Sequence, residues 1–152
     1  MQGIHATSDL PWAPERLGHA RTVEGGYVWQ KLLKEGIKII NGTDAPVEDV
    51  SPIASFYASV TREPPDGTRE GGMFGDQRMS RQEALKSYTL DAAYGSFHED
   101  LLGSIEIGKL ADFTVLSKDI MTIPENTILE TEILYTIVDG KVRYEKGHPE
   151  IP

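Results

Sequence analysis

The two side chains best suited to chemistry are a carboxylate, Asp44, and an early imidazole, that of His5. The chain contains no cysteine, so any metal would have to be held by histidine, by carboxylate or by a group from elsewhere. Asp44 follows a short apolar run, residues 37–40, and three turn-forming residues. Because α/β folds place their chemistry just beyond the carboxyl ends of strands, Asp44 is a candidate site residue. Alternatively, Asp44 only caps or buttresses its loop.

His5 lies in an opening segment, residues 1–20, which mixes proline and glycine with polar groups and is predicted to be a loop. His5 and Asp9 are four residues apart, a spacing that would place both on one helix face, but Pro11 argues against a helix. Two loop residues can still converge on a site, whereas a lone histidine in a polar loop is commonly solvated. Arg21 has the same two interpretations, either a contact to a carboxylate or substrate anion, or a structural ion pair.

The elements around Asp44 predict one helix–strand–helix step. Residues 37–41 read as a buried parallel strand, because such strands are covered on both faces and are nearly continuous in β-branched residues. A short helix over residues 27–35 should precede this strand, burying Val28 and Leu32 and ending at Gly36.

A second helix is predicted over about residues 52–62, with Ser51 as its N-cap and Pro52 in its first turn. Apolar residues recur within it at spacings of three and four, which is typical of a helix with one buried face. That face consists of Ile53, Phe56, Tyr57 and Val60. The glycine-rich segment over residues 63–75 is long for a compact domain and predicts either a lid over the site or disorder.

The remainder of the chain combines a further helix with antiparallel strands. Ser80 and Glu83 have the spacing of a capping box, which predicts a helix over about residues 81–97. Strands are predicted at residues 113–116, 133–138 and 142–144. Asp139 and Gly140 lie between the last two and predict a hairpin with a type I′ turn. The fold class is therefore α/β. A helix–strand–helix part and an antiparallel β part follow each other in one short chain.

Length and charge exclude several classes of function. The 152 residues suit one domain and carry a formal net charge of −9. So acidic a chain is a poor partner for nucleic acid or for an anionic membrane surface. No apolar run approaches the roughly 18 residues that a membrane span needs, and the first residues do not form a signal peptide. A cytoplasmic location is the expectation.

Four stretches together resemble the C-terminal portion of a metal-dependent amidohydrolase, of the subgroup that acts on non-peptide C–N bonds. The likeness covers nearly the whole chain, and the string over residues 103–119 is its most specific part. The stretches are HATSD at 5–9, GTDAPV at 42–47, SRQEALKSYTLDAAYGSF with LGSIEIGKLADFTVLSKD within 80–119, and VDGKVRYEKG at 138–147.

The resemblance implies a C-terminal fragment of a (β/α)₈ barrel, around strands seven and eight, followed by the C-terminal strands of a small β-sandwich. Residues 1–102 would form the end of the barrel, with strand eight at about 37–41. The helices predicted over about 52–62 and 81–97 would follow that strand. Residues 103–152 would belong to the sandwich. A complete barrel needs about 250 residues, so this chain is expected to be a fragment.

The resemblance also implies a mechanism. One or two divalent metal ions, with zinc expected, polarise the scissile carbonyl and lower the pKa of a bound water in such enzymes. Asp44 would ligate the metal and accept the proton of that water, and His5 would contact the substrate. The family's other ligands, a His-x-His pair, a lysine or carboxylate and two histidines, match nothing in this chain. The isolated chain is therefore expected to bind no metal and to be inactive by itself.

Two alternatives stay open besides the C–N hydrolase with a small amide-like substrate. The chain is then either a self-standing binding or interaction module, or a degenerate family member in which Asp44 is a structural cap. The sequence leaves the substrate, the metal and the oligomeric state undetermined, and a homo-oligomer is compatible with all three interpretations.

Overall fold

The computed structural model describes residues 1–68 and 72–148. Their strands are β1 (Phe113–Leu116), β2 (Ile133–Val138) and β3 (Lys141–Glu145). Their helices are α1 (His5–Ser8), α2 (Ala13–Leu17), α3 (His19–Gly25), α4 (Trp29–Lys34), α5 (Pro52–Thr61), α6 (Arg81–Tyr88) and α7 (Leu90–Gly95). Short 3₁₀ helices cover Gly75–Gln77 and Glu125–Glu130. The predicted α/β class is confirmed.

The prediction of a loop over residues 1–20 is wrong, because α1, α2 and the start of α3 lie there. Pro14 occupies the first turn of α2, where a missing backbone N–H costs no helical hydrogen bond. Pro11 lies between α1 and α2 and interrupts neither. In α1 the Thr7 hydroxyl donates to the Ile4 carbonyl at 2.7 Å, which helps to close this single turn.

Residues 37–41, predicted as a strand, are an extended segment that pairs with the start of the chain. The Gly42 amide donates to the Met1 carbonyl at 3.0 Å, and the Met1 amino group donates to the Ile40 carbonyl. One isolated parallel bridge joins Gln2 to Gly42. A regular parallel strand needs a series of hydrogen bonds to a neighbouring strand along its length. Within the described part of the chain only residues 1–2 pair with this segment, so it is not assigned as a strand.

Helix α5 carries the predicted buried face and forms the centre of the hydrophobic core. All four predicted residues on that face are buried, with 8% or less of each side chain exposed. Helix α4 differs from its prediction, because it buries Trp29, whereas Leu32 is 38% exposed. Trp29 belongs to the hydrophobic core, and the Arg62 guanidinium lies over its ring, 4.7 Å from the centroid. Gly36 ends this segment as predicted, with φ +75°.

The predicted capping box is confirmed at α6. The Glu83 amide donates to the Ser80 hydroxyl, and the Glu83 carboxylate accepts from the Ser80 amide. The helix predicted over 81–97 is divided into α6 and α7 at Thr89, whose hydroxyl donates to the Leu85 carbonyl at 2.9 Å. Competition of this kind between a short polar side chain and the helical hydrogen bonds weakens the helix locally.

The three strands form one antiparallel sheet in the order β1-β2-β3. Between β2 and β3, Asp139 and Gly140 have φ +53° and +70°. A type I′ turn needs positive φ at both central residues, so the predicted hairpin and its turn chemistry are confirmed. The antiparallel prediction for this part of the chain is therefore correct.

Candidate active site

Asn41 joins the two segments that carry the candidate site residues. Its Oδ1 accepts from the Gly3 amide at 2.8 Å and from the Gly42 amide at 3.0 Å. Its Nδ2 donates to the Ser59 hydroxyl of α5 at 3.1 Å. Asn41 is buried and all these partners are neutral, so the network gains in strength from its low-dielectric surroundings. The start of α1 and the loop after residue 41 are thereby fixed to the same helix.

Ser55 adds a second link between these segments. Its hydroxyl donates to the Gly42 carbonyl at 3.1 Å and accepts from the Ile4 amide at the same distance. Asp44 follows with φ +65°, a left-handed conformation that aspartate tolerates better than most residues. Its carbonyl accepts from the Val47 and Glu48 amides, which closes a turn behind it. The Asp44 carboxylate is thus held at a bend between extended chain and turn.

This arrangement brings His5 and Asp44 together. The His5 Nε2 lies 3.2 Å from Asp44 Oδ2, and the His5 Nδ1 lies 3.7 Å from Asp9 Oδ2. The His5 side chain is 22% exposed and that of Asp44 is 34% exposed, so both remain within reach of solvent. Ionised carboxylates only accept hydrogen bonds, and an imidazolium donates from both ring nitrogens. His5 thus lies between two carboxylates, with one ring nitrogen near each of them.

Asp9 and Tyr27 extend this contact inward. The Tyr27 hydroxyl donates to Asp9 Oδ2 at 3.3 Å. Partial burial, and then the nearby Asp9 carboxylate, raise the pKa of Tyr27, so its phenol stays a proton donor in neutral solution. The spacing of four between His5 and Asp9 was the one sequence signal for this pairing. Pro11 argues against a helix at this spacing, but it lies after α1 and does not interrupt it. Tyr27 gave no such signal, because it lies eighteen positions from Asp9.

Arg62 is a buried cation that sequence reasoning missed. Its side chain is 1% exposed, and its Nε donates to the Met73 carbonyl at 2.6 Å. Its Nη1 donates to the Tyr27 carbonyl at 3.0 Å. Burial lowers the pKa of Arg62 to about 10, while the Asp76 carboxylate opposes this shift. Arg62 therefore remains charged at neutral pH and fixes the backbone that carries Tyr27.

His5 and Asp44 together carry two types of donor atom that a zinc ion accepts. Imidazole nitrogen and carboxylate oxygen are both zinc ligands, and a catalytic zinc normally has three protein ligands. Two ligands at tetrahedral zinc are about 3.4 Å apart, close to the 3.2 Å between His5 Nε2 and Asp44 Oδ2. Within residues 1–68 and 72–148, no cluster of three or more His, Cys, Asp or Glu residues is arranged to hold a metal. Asp44 is thus a chemically suitable metal ligand, but among the described residues the further ligands of a metal site are not arranged around it.

The other sequence predictions have separate outcomes. Arg21 is exposed, and in the described part of the chain it forms no ion pair. The segment over 63–75, predicted as a lid or as disordered, lies partly outside the described residues, because positions 69–71 are not described. Its beginning is anchored, since Glu63 accepts from the Tyr57 hydroxyl at 3.0 Å and pairs with Arg78 at 3.4 Å.

None of the helices in the described part of the chain has the length and hydrophobicity needed to span a bilayer.

Among protein families, residues 1–144 match the model described as "Amidohydrolase family".

Individual relatives agree with this match. The chain is 33% identical over 147 residues to YtcJ of Bacillus subtilis, whose name classes it among amidohydrolases; the match covers 97% of this chain and 28% of YtcJ. It is 32% identical over 117 residues to the N-substituted formamide deformylase of Arthrobacter pascens, covering 77% of this chain and 21% of that protein. The chain spans about a quarter of the length of the curated relatives it matches.

A solved structure extends the likeness to three dimensions. It is described as an uncharacterized metal-dependent hydrolase from Pyrococcus horikoshii OT3. The identity is 30% and the TM-score 0.70, over 82% of this chain and 25% of that one.

Proposed function

Because the chain belongs to the amidohydrolase family, we propose that it forms part of a metal-dependent hydrolase for C–N bonds other than peptide bonds. Asp44 is the proposed metal ligand and proton carrier, and His5 is the proposed substrate contact. A divalent metal, with zinc expected, supplies carbonyl polarisation and a more acidic water when it is bound. Asp44 then accepts the proton of the attacking water and donates it to the leaving nitrogen.

The observation that carries the proposal is the contact of 3.2 Å between His5 Nε2 and Asp44 Oδ2. A hydrogen bond from His5 to Oδ2 leaves Asp44 Oδ1 for the exchange of a proton with water. We propose that the substrate lies against the exposed part of the His5 side chain, beside Asp44.

The proposed placement in the family fold follows the parallel pairing of the chain start with residues 40–42. These two extended segments are proposed to be the ends of barrel strands seven and eight, and residues 1–102 the end of the barrel. Both candidate side chains would then lie beyond carboxyl ends of strands, which is where barrel enzymes place catalytic groups. Residues 103–152, with β1–β3, are proposed to belong to the small β-sandwich. Further metal ligands would come from outside the described residues.

The isolated chain is expected to show no stoichiometric zinc binding at micromolar concentration, because one carboxylate ligand does not hold zinc tightly. Isothermal titration of Zn²⁺ into the 152-residue chain at neutral pH measures this directly. Asp100→Asn is the matched control for weak surface binding, because Asp100 is an exposed carboxylate outside the site. One tight zinc site per chain, lost in Asp44→Asn and kept in the control, would contradict the proposal that the other metal ligands come from outside the described residues.

Catalytic competence is tested in a chimera, defined as the Arthrobacter pascens relative with its matched segment replaced by this chain. We expect the chimera to hydrolyse N-substituted formamides, to lose this activity to a chelator and to regain it with zinc. Circular dichroism and metal analysis verify folding and loading. A folded, metal-loaded chimera without hydrolytic activity would argue against the hydrolase and favour a binding module or a degenerate family member.

A further inference from the structure

The His5 ring nitrogen that does not contact Asp44 lies near Asp9, which in turn binds Tyr27. We propose that Asp9, held in place by the Tyr27 hydroxyl, is a positioning residue that fixes the orientation of the His5 side chain at the candidate active site. The inference rests on the proposed function only for the role of His5 as a substrate contact. The orientation of the ring itself can be measured without any reaction.

The backbone of α1 holds His5 and Asp9 one helical turn apart. The Asp9 amide donates to the His5 carbonyl at 3.1 Å, and the Asp9 carbonyl accepts from the Trp12 and Ala13 amides. Residues four apart are neighbours on a helix surface, and His5 Nδ1 lies 3.7 Å from Asp9 Oδ2. This distance is longer than a hydrogen bond, so the carboxylate acts on the ring through its charge.

Carboxylates near both ring nitrogens favour one orientation of His5. Nε2 is 3.2 Å from Asp44 Oδ2, while Nδ1 faces Asp9. Rotation about either side-chain torsion would move at least one nitrogen away from its carboxylate. The His5 side chain is 22% exposed, so the packing around it does not enclose it completely. Because the partner of one ring nitrogen influences what the other nitrogen can bind, Asp9 affects the nitrogen that faces Asp44.

The Tyr27 hydroxyl fixes the Asp9 carboxylate. It donates at 3.3 Å to Asp9 Oδ2, the same oxygen that faces His5. Partial burial, and then the Asp9 carboxylate, raise the pKa of Tyr27, so the phenol keeps the proton that it donates at neutral pH. The Asp9 side chain is 38% exposed, and without this bond it would be free to turn toward solvent. Tyr27 therefore defines where the Asp9 oxygen lies relative to the imidazole.

The backbone of Tyr27 provides an independent observation. Its φ is +56°, in the left-handed region that a bulky side chain adopts only rarely. Such conformations persist where surrounding contacts enforce them, and they are concentrated at functional sites. Here Arg62, which is 1% exposed, donates from Nη1 to the Tyr27 carbonyl at 3.0 Å. The fold thus maintains an unfavourable backbone conformation at the residue that holds Asp9.

The first test measures the orientation of His5 in the 152-residue chain by NMR. Three-bond couplings report the χ1 angle of His5, and we expect a single rotamer in the parent chain. Asp9→Asn removes the charge and Tyr27→Phe removes only the hydroxyl, and both should give couplings averaged over several rotamers. The matched controls Asp100→Asn and Tyr144→Phe, at exposed positions, should keep the single rotamer. Amide dispersion verifies that each variant is folded. A single His5 rotamer retained in either test variant, or averaged couplings in the parent chain, would overturn the proposal.

The second test is a double-mutant cycle in the chimera, which determines whether Asp9 acts through His5. We expect Asp9→Asn to raise KM for an N-substituted formamide about tenfold, the lower end of the effect of losing a supporting residue. The value of kcat should stay within about twofold, because a substrate contact made equally before and in the transition state affects KM. In a His5→Ala background, Asp9→Asn should change KM no further, because the side chain that it positions is absent. An equal rise of KM in that background, or a loss confined to kcat, would overturn the proposal.

The two tests separate this inference from the proposed function. A folded, metal-loaded chimera without activity would count against the hydrolase, and the His5 rotamer in the 152-residue chain would still decide the role of Asp9. An active chimera in which Asp9→Asn changes neither KM nor the His5 rotamer would overturn the positioning role alone.

Discussion

Replacing Asp44 with asparagine is expected to lower kcat/KM of the chimera about a thousandfold, the middle of the range for loss of a general acid–base group. The amide has the size of the carboxylate but cannot accept a proton from water, and it is a poor metal ligand. The measurement is hydrolysis of an N-substituted formamide under saturating zinc, with kcat and KM determined separately. We expect the loss to be in kcat, because proton transfer is made only in the transition state.

Asp100→Asn is the matched control in the same chimera, since Asp100 is exposed and outside the site. It should retain kcat/KM within about twofold, as surface substitutions usually leave structure and stability nearly unchanged. Metal content is measured for both variants, so that loss of metal is distinguished from loss of proton transfer. An Asp44→Asn chimera that retains most of its activity would exclude Asp44 as the catalytic carboxylate.

The largest expected effect on stability is that of Arg62→Ala, about 3 kcal/mol of the free energy of unfolding. The substitution removes hydrogen bonds to the Tyr27 and Met73 carbonyls and leaves both acceptors without that partner. It also removes the guanidinium from the Trp29 ring and opens a cavity. Urea unfolding followed by tryptophan fluorescence measures the change, because Trp29 reports directly on this contact.

Arg21→Ala is the control, because Arg21 is exposed in α3 and alanine favours the helix. Its free energy of unfolding should change by at most about 0.5 kcal/mol. Arg62→Lys should recover only part of the loss, since an ammonium group cannot reproduce the planar fork of donors. A change below about 1 kcal/mol in Arg62→Ala would contradict the structural role assigned to this buried cation.

Elements with strong local patterns were predicted correctly from the sequence. The buried face of α5, the Ser80–Glu83 capping box and the Asp139–Gly140 hairpin each depend on residues close together in the chain. The short helices near the N-terminus were missed, because their stability comes from tertiary contacts. The hydrogen bonds that the Gly3 amide donates to Asn41 and the Ile4 amide donates to Ser55 span 38 and 51 positions, and no sequence periodicity can reveal them.

The candidate site was predicted in part. The sequence pointed to His5 and Asp44, and the structure places their side chains in contact. Their roles remain proposals. The supporting residues could not be predicted, because Tyr27 and Arg62 act through hydrogen bonds over 18 and 35 positions. Both also have positive φ, which sequence patterns do not indicate for such large side chains.

The most direct test of the central claim, that Asp44 belongs to a metal centre, is anomalous diffraction at the zinc edge from crystals of the zinc-loaded chimera. We predict an anomalous peak within about 2.2 Å of an Asp44 carboxylate oxygen, the usual zinc–carboxylate distance. His5 should lie beside that centre, as its contact with Asp44 requires. A fully occupied zinc centre whose ligands exclude Asp44 would contradict the claim and leave Asp44 as a structural residue of its loop.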